Sequence, residues 1–284
     1  MKIISFGEII WDIYPDASHI GGAPLNFAAH AAKLGAGVQL ISAVGDDDLG
    51  AAAREALSRF GVDDSLVSTV PDRPTGQCLV TLDAQDKPHY TLWEDTAYDA
   101  ITCGAAPHCD AFVFGTLIQR SHHNRRTLQQ LLESGCLGEV FCDLNIRPPH
   151  YDVESVERCL RHATMLKVSR EELPAVTQLL YGQSLNVEAA VARLCADHPN
   201  IRLCLVTLDR DGAFVRDTRT GRTYRCAAKP VDVVSTVGAG DSFGAAFLVT
   251  YLRTGDIAAS LQTAVEVSAH VVAHKEAVPP DEEV

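Results

Sequence analysis

The sequence lacks a long hydrophobic run. No apolar stretch in its 284 residues approaches the roughly 18 residues that a helix needs to cross a membrane. The segment MKIISFGEII has neither the long apolar core nor the cleavage site of a signal peptide, and its pattern predicts a strand. We therefore expect a cytoplasmic protein that does not enter a membrane.

The sequence also lacks paired cysteines and a surplus of positive charge. Its nine cysteines never stand in a C-x-x-C spacing, which argues against structural zinc and predicts reduced thiols. Lysine and arginine number 24 against 37 acids, so the formal net charge is −13. Such an acidic chain repels nucleic acid, so we expect no nucleic-acid partner. An anionic ligand would have to be held by local donors or by a metal.

What is present is an alternation of short apolar runs with segments of helical length. Strands are predicted at residues 2–6, 38–44, 111–114, 140–144, 165–168 and 202–207. Helices are predicted at residues 25–34, 49–60, 124–132, 171–180, 187–195, 242–252 and 257–273. This alternation is typical of βαβ units, so it predicts an α/β fold with a mostly parallel sheet.

Two strand-rich segments interrupt the alternation. They cover residues 11–20 and 77–93, and no long helix is predicted between residues 63 and 100. The run QCLVTLDAQDKPHYTLW predicts a hairpin with its turn near residues 84–87. We interpret the segments at about 11–20 and 77–100 as a small β lid over one edge of a single domain that spans residues 1–284.

The stretch STVGAGD, residues 235–241, predicts an anion site. A short strand is predicted at 231–234 and a helix from 242, so the glycines lie in the turn between them. Glycine lets backbone N–H groups approach a ligand closely, and the start of a helix carries partial positive charge. Asp241 is open to two interpretations at this point. It either caps the helix or acts as a general base beside the anion site, as phosphoryl transfer to a hydroxyl requires.

Other glycine motifs fit less well. The sequence has no G-x-x-x-x-G-K-[ST], and its glycines miss the dinucleotide pattern G-x-G-x-x-G by one residue. The run GDSFG formally matches the nucleophile pattern of serine hydrolases, with Ser242 followed by Asp256 and then His270 or His274. Only 42 residues follow Ser242 in the sequence, which is too few for the further strands of that fold.

Several motifs together resemble the ribokinase (PfkB-type) family of carbohydrate kinases. The C-terminal family signature D-T-x-G-A-G-D reads STVGAGD here, and the N-terminal signature reads GGAPLNFAAHAAKLG, whose G-G-A-P-x-N form is closest to the fructokinase branch. Further matches are GEIIWD, VGDDDLG, FGTLIQRS, DLNIRPP, KVSREEL and VTLDRDGA. They are spread over almost the whole chain, so they are specific for the family and much less so for the sugar.

The resemblance implies a fold and an activity. The fold is a ribokinase-like three-layer sandwich, with a mostly parallel central sheet flanked by helices and a small β lid. The activity is ATP-dependent and Mg²⁺-dependent transfer of the γ-phosphate to a primary hydroxyl of a sugar, with fructose as the first choice. The alternatives are another acceptor, namely ribose, 2-keto-3-deoxygluconate or a nucleoside, and a non-catalytic sugar-binding protein on the same fold. The lid is also a candidate homodimer contact.

The resemblance also assigns roles to residues. On the sugar side lie Asp12, Gly21, Gly22 and Asn26. The catalytic group consists of Asp241 as the base, the turn Val237, Gly238, Ala239 and Gly240 as the anion hole, and Arg147 near the transferred phosphoryl group. The nucleotide side contains Lys167, Ser169, Thr207 and Gly212, together with Gly238 and Gly240. Glu172 falls on an acid that organises Mg²⁺ through water.

The sequence departs from the family pattern at three of these motifs. Ser169 replaces the asparagine of N-x-x-E, and Asp209 replaces the glycine that usually follows V-T-L. Ser235 replaces the first aspartate of D-T-x-G-A-G-D, which in the family helps to ligate a monovalent cation. A Gly-Ala turn that usually completes this cation site is also missing after KEAVPP. We therefore expect little or no activation by K⁺.

Overall fold

The main sheet and its helices follow the predicted alternation closely. The computed structural model describes residues 1–82, 88–104, 107–135 and 137–280. Its strands are β1 Lys2–Phe6, β2 Ile10–Ile13, β3 Ser18–Gly21, β4 Gly37–Gly45, β5 Val67–Val70, β6 Gly76–Leu82, β7 Pro88–Leu92, β8 Cys109–Gly115, β9 Leu137–Asp143, β10 Met165–Ser169, β11 Leu203–Thr207, β12 Ala213–Asp217 and β13 Thr223–Cys226. Its α-helices are α1 Ala23–Lys33, α2 Asp48–Arg59, α3 His122–Glu133, α4 Val153–His162, α5 Leu173–Tyr181, α6 Val187–Asp197, α7 Ala239–Thr254 and α8 Ile257–Val272. Short 3₁₀ helices lie at Ala97–Ala100, Leu117–Arg120 and Asp209–Asp211.

Nine strands form the main sheet, in the order β13-β12-β11-β10-β9-β8-β1-β4-β5. The strands from β11 to β5 pair in parallel, whereas β12 and β13 add an antiparallel edge. One face packs against helices α3 to α6, and the other packs against α1, α2, α7 and α8. The alternation of side chains explains this division, because Cys204 and Val206 face one layer while Leu203 and Leu205 face the other. The predicted α/β sandwich is therefore confirmed.

A second sheet of four strands, β3-β2-β6-β7, carries the strand-rich segments. Strand β2 pairs antiparallel with β3 and parallel with β6, and β6 pairs antiparallel with β7. The predicted turn at residues 84–87 lies outside the described residues. Leu79, Tyr90 and Trp93 are exposed large side chains in this part of the chain, and their use as a homodimer contact stays a prediction.

The prediction of a strand at residues 231–234 is wrong. This segment is irregular, and the N–H groups of Val234 and Ser235 both donate to the carbonyl oxygen of Val272 at the end of α8. Val233 and Val234 are exposed, so their apolar character reflects no buried strand. Strands β5, β12 and β13 and helix α4 were not predicted from the sequence. Within the described ranges, no helix combines the length and the apolar character that crossing a membrane requires.

Candidate active site

The glycine turn forms the start of α7 and faces a buried ammonium group. Gly238 has a left-handed backbone with φ of 79°, and a Cβ there would come within 2.6 Å of the Ala277 carbonyl oxygen. A Cβ on Gly240 would lie 3.1 Å from Lys167 Nζ, so the lysine lies directly against the turn. The first N–H groups of the helix and this ammonium together create a positive environment. The turn is therefore suited to an anion, as the sequence predicts.

Asp241 does not cap the helix. The N-cap residue of α7 is Gly238, which has no side chain to cap it, and Asp241 lies in the first turn. Its Oδ2 accepts a hydrogen bond of 2.8 Å from Asn26 Nδ2. Burial raises the pKa of Asp241, while this hydrogen bond and the charges of Lys167 and Arg147 oppose the rise. The capping interpretation is therefore wrong, and Asp241 is a partly buried carboxylate held beside the glycine turn.

The side-chain amide of Asn26 contacts Asp241 through its nitrogen and presents its oxygen elsewhere. It lies in the first turn of α1 and is only 4% exposed. A carboxylate can only accept hydrogen bonds, so the amide nitrogen must face Asp241 and Oδ1 must point elsewhere. This Oδ1 is buried, and it has no hydrogen-bond partner in the part of the chain that the structure describes. Leaving such a group unpaired costs about 1–3 kcal/mol, which a hydroxyl donor from a ligand would recover.

Asp12 and two glycines border the same space. A Cβ on Gly21 would lie 3.7 Å from Asp12 Oδ2 and 4.0 Å from Asn26 Oδ1, so both oxygens face the bare backbone of Gly21. Gly22 has φ of 109°, and a Cβ there would come within 2.4 Å of the Glu8 carbonyl oxygen. Burial raises the pKa of Asp12, although the charges of His19 and Arg147 oppose the rise. The structure therefore brings the four predicted sugar-side residues together.

Lys167 forms a buried ion pair with an acid that the sequence reasoning missed. Its Nζ lies 2.6 Å from Asp143 Oδ2, with the two side chains 6% and 13% exposed. Burial would lower the pKa of Lys167, but the charges of Asp143, Glu172 and Asp241 raise it, so the ammonium stays charged. Burial raises the pKa of Asp143, and the charges of Lys167 and of the exposed Arg147 oppose the rise. The acid within the apolar run VFCDL was the available signal for Asp143.

Glu8 is a second acid that was missed. It is 4% exposed and lines a cavity of about 30 Å³ together with Asp143, Asn145 and Asp241. This volume suits a water molecule rather than a sugar. Burial raises the pKa of Glu8 to about 7, and the negative charge of Asp241 adds to the rise, while backbone hydrogen bonds oppose it. A single acid inside the apolar run SFGEIIW was the signal in the sequence.

Replacing Glu8 by glutamine should change how stability depends on pH. Below the ordinary pKa of 4.5, the folded and the unfolded chain both hold the proton. Between pH 4.5 and about 7 only the folded carboxyl keeps it, so the free energy of unfolding falls as the pH rises through this window. Glu8→Gln removes the loss, so its free energy of unfolding relative to the wild type should rise by about 3 kcal/mol across this window. Urea denaturation at several pH values measures the difference. The exposed Glu55→Gln on α2 is the control, and parallel curves for wild type and Glu8→Gln would contradict the assignment.

The predicted nucleotide-side residues lie at the carboxyl ends of neighbouring strands. Ser169 ends β10 and pairs in register with Thr207 at the end of β11. Glu172 Oε1 and Oε2 accept from the N–H groups of Ile146 and Ser169, each at 2.7 Å. Ligands of open parallel sheets bind at this end of the strands. Glu172 therefore joins the loop after β9 to the end of β10.

Two residues in the turn after β11, Asp209 and Gly212, have left-handed backbone conformations. Gly212 has φ of 90°, and a Cβ there would come within 2.1 Å of the Cys226 carbonyl oxygen, so no side chain fits. Asp209 has φ of 53°, a left-handed conformation in which the family's usual glycine is unstrained. The departure at Asp209 therefore places an exposed acid on a strained backbone beside Thr207.

The serine-hydrolase alternative is excluded by Ser242. Its side chain is 0% exposed, and its Oγ donates to the Ala239 carbonyl oxygen inside α7. Asp256 caps the start of α8, whereas His270 lies in the last turn of the same helix. Fourteen helical residues separate them by about 20 Å, so they cannot form one catalytic triad.

The profile of the pfkB family carbohydrate kinases matches residues 16–283. The chain belongs to this family. A probable fructokinase-5 of Arabidopsis thaliana is 27% identical over 281 residues, covering 90% of this chain and 84% of that protein. The fructokinase of Klebsiella pneumoniae is 29% identical over 266 residues, covering 87% of this chain and 83% of that protein.

Solved structures of pfkB-type kinases share the fold. Fructokinase from Vibrio cholerae O395, solved with fructose, ADP and a calcium ion, has a TM-score of 0.85 at 22% identity, covering 98% of this chain and 94% of that chain. Aminoimidazole riboside kinase from Salmonella enterica has a TM-score of 0.82 at 23% identity, covering 98% and 95%. The predicted ribokinase-like fold and family are confirmed. This pfkB-family protein is a phosphotransferase that uses a sugar hydroxyl as acceptor.

Proposed function

We propose that this sugar kinase is a fructokinase, which transfers the γ-phosphate of ATP to a primary hydroxyl of fructose. The observation that carries the proposal is the chain from Asp241 through Asn26 to an unpaired oxygen beside Asp12. The carboxylates of Asp12 and Asp241 and the amide oxygen of Asn26 can each accept a hydrogen bond. Such a set of acceptors suits a ligand rich in hydroxyl groups. We choose fructose among the sugars because two relatives, at 27% and 29% identity to this chain, are named as fructokinases.

In this proposal Asp241 removes the proton from the attacking hydroxyl. The raised pKa of this carboxyl makes it a better proton acceptor, while the Asn26 hydrogen bond keeps one oxygen oriented. Negative charge on the transferred phosphoryl group would be held by the N–H groups of Gly238 and Gly240 and by Lys167, because the Ala239 N–H already donates to the Thr236 carbonyl oxygen. Arg147 is exposed at the same site and supplies a second positive charge.

The nucleotide is proposed to lie over the ends of β10 and β11, where Ser169, Thr207 and Gly212 border it. Mg²⁺ bound with ATP supplies neutralisation of the phosphate charge. Glu172 would contact that ion through water, and each of its carboxylate oxygens keeps a lone pair for this beyond the backbone hydrogen bond that it accepts. No group of three or more acidic, histidine or cysteine ligands occurs in the described ranges, so the ion would depend on phosphate oxygens as well.

ADP release with a panel of acceptors tests the proposal. The panel contains fructose, ribose, 2-keto-3-deoxygluconate and a nucleoside, each with Mg-ATP, and Asp241→Asn as the blank. We expect the highest kcat/KM with fructose. A preference of more than about ten-fold for another acceptor would replace fructose and leave the kinase assignment in place. Absence of ADP release with every acceptor would instead favour the non-catalytic sugar-binding alternative.

Replacing Asp12 by alanine should weaken sugar use much more than ATP use. The variant leaves hydroxyl groups of the bound sugar unpaired, at about 1–3 kcal/mol, or roughly five-fold to more than a hundred-fold in kcat/KM for the sugar. Steady-state kinetics with each substrate varied in turn measures the two effects. Asp16→Ala, in the exposed turn between β2 and β3, is the control. Unchanged sugar kinetics in Asp12→Ala would remove Asp12 from the site.

Potassium should activate the enzyme weakly or not at all. Ser235 offers a neutral hydroxyl where relatives that respond to K⁺ have a carboxylate, and its Oγ already accepts from the Val237 N–H at 3.2 Å. The measurement is the initial rate at saturating Mg-ATP and sugar, in K⁺ and in a large organic cation at equal ionic strength. Ser235→Asp should introduce K⁺ activation. A several-fold K⁺-specific rise in the wild type would show that Ser235 is not the decisive change.

A further inference from the structure

A second groove is lined by none of the residues assigned above to the candidate active site. It lies between α6 and the antiparallel edge formed by β12 and β13, and has a volume of about 440 Å³. Val191, Ala192 and Phe214 form apolar parts of its wall. Its charged lining residues are Glu188, Arg216 and Arg225, so the groove is positive on balance in a protein whose overall charge is negative.

Cys195 lines this groove and lies against a second cysteine, Cys204. Cys204 is directly opposite Arg216 in the β11–β12 ladder, so their side chains share the face of the sheet that α6 covers. Arg216 and Cys195 both line the groove, and Cys195 packs on the hydrophobic cluster that contains Cys204. The two thiols are close enough for each to influence the ionisation of the other. Cys195 is half-buried, whereas Cys204 is 0% exposed.

The two thiols differ in the direction of their pKa shifts. Interaction with the Cys204 thiol lowers the pKa of Cys195, and the charge of Arg216 adds to this effect, although burial opposes it. The same interaction and burial raise the pKa of Cys204 well above its ordinary value. Cys195 is therefore the thiol that is more readily ionised and reached from solvent, and Cys204 keeps its proton beside it.

We propose that Cys195 and Cys204 are a reversible thiol modification site, at which Cys195 attacks a small disulfide that carries carboxylate groups and Cys204 then closes an internal disulfide. Arg216 and Arg225 fit the carboxylates of such a molecule. The volume of the groove admits a compound of that size, and its apolar wall accepts the carbon chain.

The exchange balances without any further reactant. The Cys195 thiolate forms a bond to one sulfur of the small disulfide, the original sulfur–sulfur bond breaks, and one small thiolate leaves. Cys204 then releases its proton to solvent, bonds to the Cys195 sulfur and displaces the second small thiolate. The protein thiols are oxidised by two electrons, and the small disulfide is reduced to two thiols. An excess of small thiol reverses both steps.

The probe is oxidised glutathione, applied to the folded full-length protein and followed by peptide mass spectrometry of every cysteine. In the wild type we expect Cys195 and Cys204 to become linked to each other, with no glutathione retained on either. Cys204→Ser should instead retain one glutathione on Cys195. Cys195→Ser, and independently Cys195→Ala, should lower the rate of modification at this pair by about ten-fold or more.

Two comparisons inside the same chain sharpen the test. Cys103 is also half-buried, but burial raises its pKa, so it should react more slowly than Cys195. Cys142 and Cys159 are a second pair of interacting cysteines, both 0% exposed, and Cys159→Ser should leave the rate at Cys195 unchanged. Arg216→Gln should lower the rate at Cys195 several-fold. The proposal is overturned if Cys195 and Cys103 react at the same rate, or if glutathione stays on Cys195 in the wild type.

Discussion

Asp241→Asn should lose turnover by about 10²–10⁴-fold while it still binds ATP. Asparagine has nearly the same shape, but it cannot accept the proton of the attacking hydroxyl. The glycine turn and Lys167, which we propose to hold the phosphoryl group, are unchanged by the substitution. The loss should therefore fall on kcat rather than on KM for ATP. Steady-state kinetics and a direct measurement of nucleotide binding separate the two effects.

Asp256→Asn is the matched control for this result. Asp256 also lies at a helix start, where its Oδ1 accepts from the N–H groups of Ala258 and Ala259. Asparagine caps a helix about as well as aspartate, so neither stability nor kcat should change. Retention of more than about a tenth of the wild-type kcat in Asp241→Asn would remove Asp241 as the base.

Lys167→Met should lower the free energy of unfolding by about 3–5 kcal/mol. The substitution leaves Asp143 without its partner in a site where the two side chains are only 6% and 13% exposed. Methionine keeps much of the length and apolar stem of lysine, so lost packing contributes little. Adding Asp143→Asn removes the unpaired charge, and the double variant should recover most of the loss. Urea denaturation of the wild type and the three variants measures the cycle.

Lys229→Met provides a control with the same pair geometry. Lys229 Nζ lies 2.6 Å from Glu266 Oε1, but these side chains are 53% and 40% exposed. Exposed pairs contribute less than about 1 kcal/mol, so this variant should remain close to the wild type. Equal losses in Lys167→Met and Lys229→Met would show that burial does not govern the Lys167–Asp143 pair.

The sequence predicted the fold well because apolar residues recur with different periods in its strands and helices, and because the two kinds of element differ in length. Strand β1 was predicted at its observed bounds, and the helix from residue 187 began where predicted. The segment 231–234 failed because a run of apolar β-branched residues favours a strand only if a neighbour supplies hydrogen bonds. Here the end of α8 accepts those N–H groups instead. Strand β13 was missed because it is short and lies at the edge of the sheet, whereas β12 was missed although it is as long as β1.

The site was predicted in part, for a different physical reason. Asp12, Asn26 and Asp241 stand in motifs with recognisable residue types, and the fold brings them together. Glu8 and Asp143 were not singled out, because their significance depends on what surrounds them. Only the folded chain shows that both line the cavity beside Asp241 and that Asp143 holds Lys167. The resemblance of motifs likewise does not reveal that Asn26 Oδ1 has no hydrogen-bond partner among the described residues.

Helix α1 contacts both the reactive carboxylate of Asp241 and the segment 275–280, and this limits how that segment can vary. Asn26 holds Asp241 from its first turn, while His30 Nε2 donates to the Ala277 carbonyl and Lys33 donates to that of Pro279. Ala277 in turn lies against Gly238. Residues 275–280 contain no helix or strand and include exposed positions, so they resemble a loop that tolerates substitution freely. Because the same helix fixes this loop and the partner of Asp241, insertions there would be transmitted to the reactive carboxylate, and we expect selection to conserve the length of this loop more strictly than its sequence.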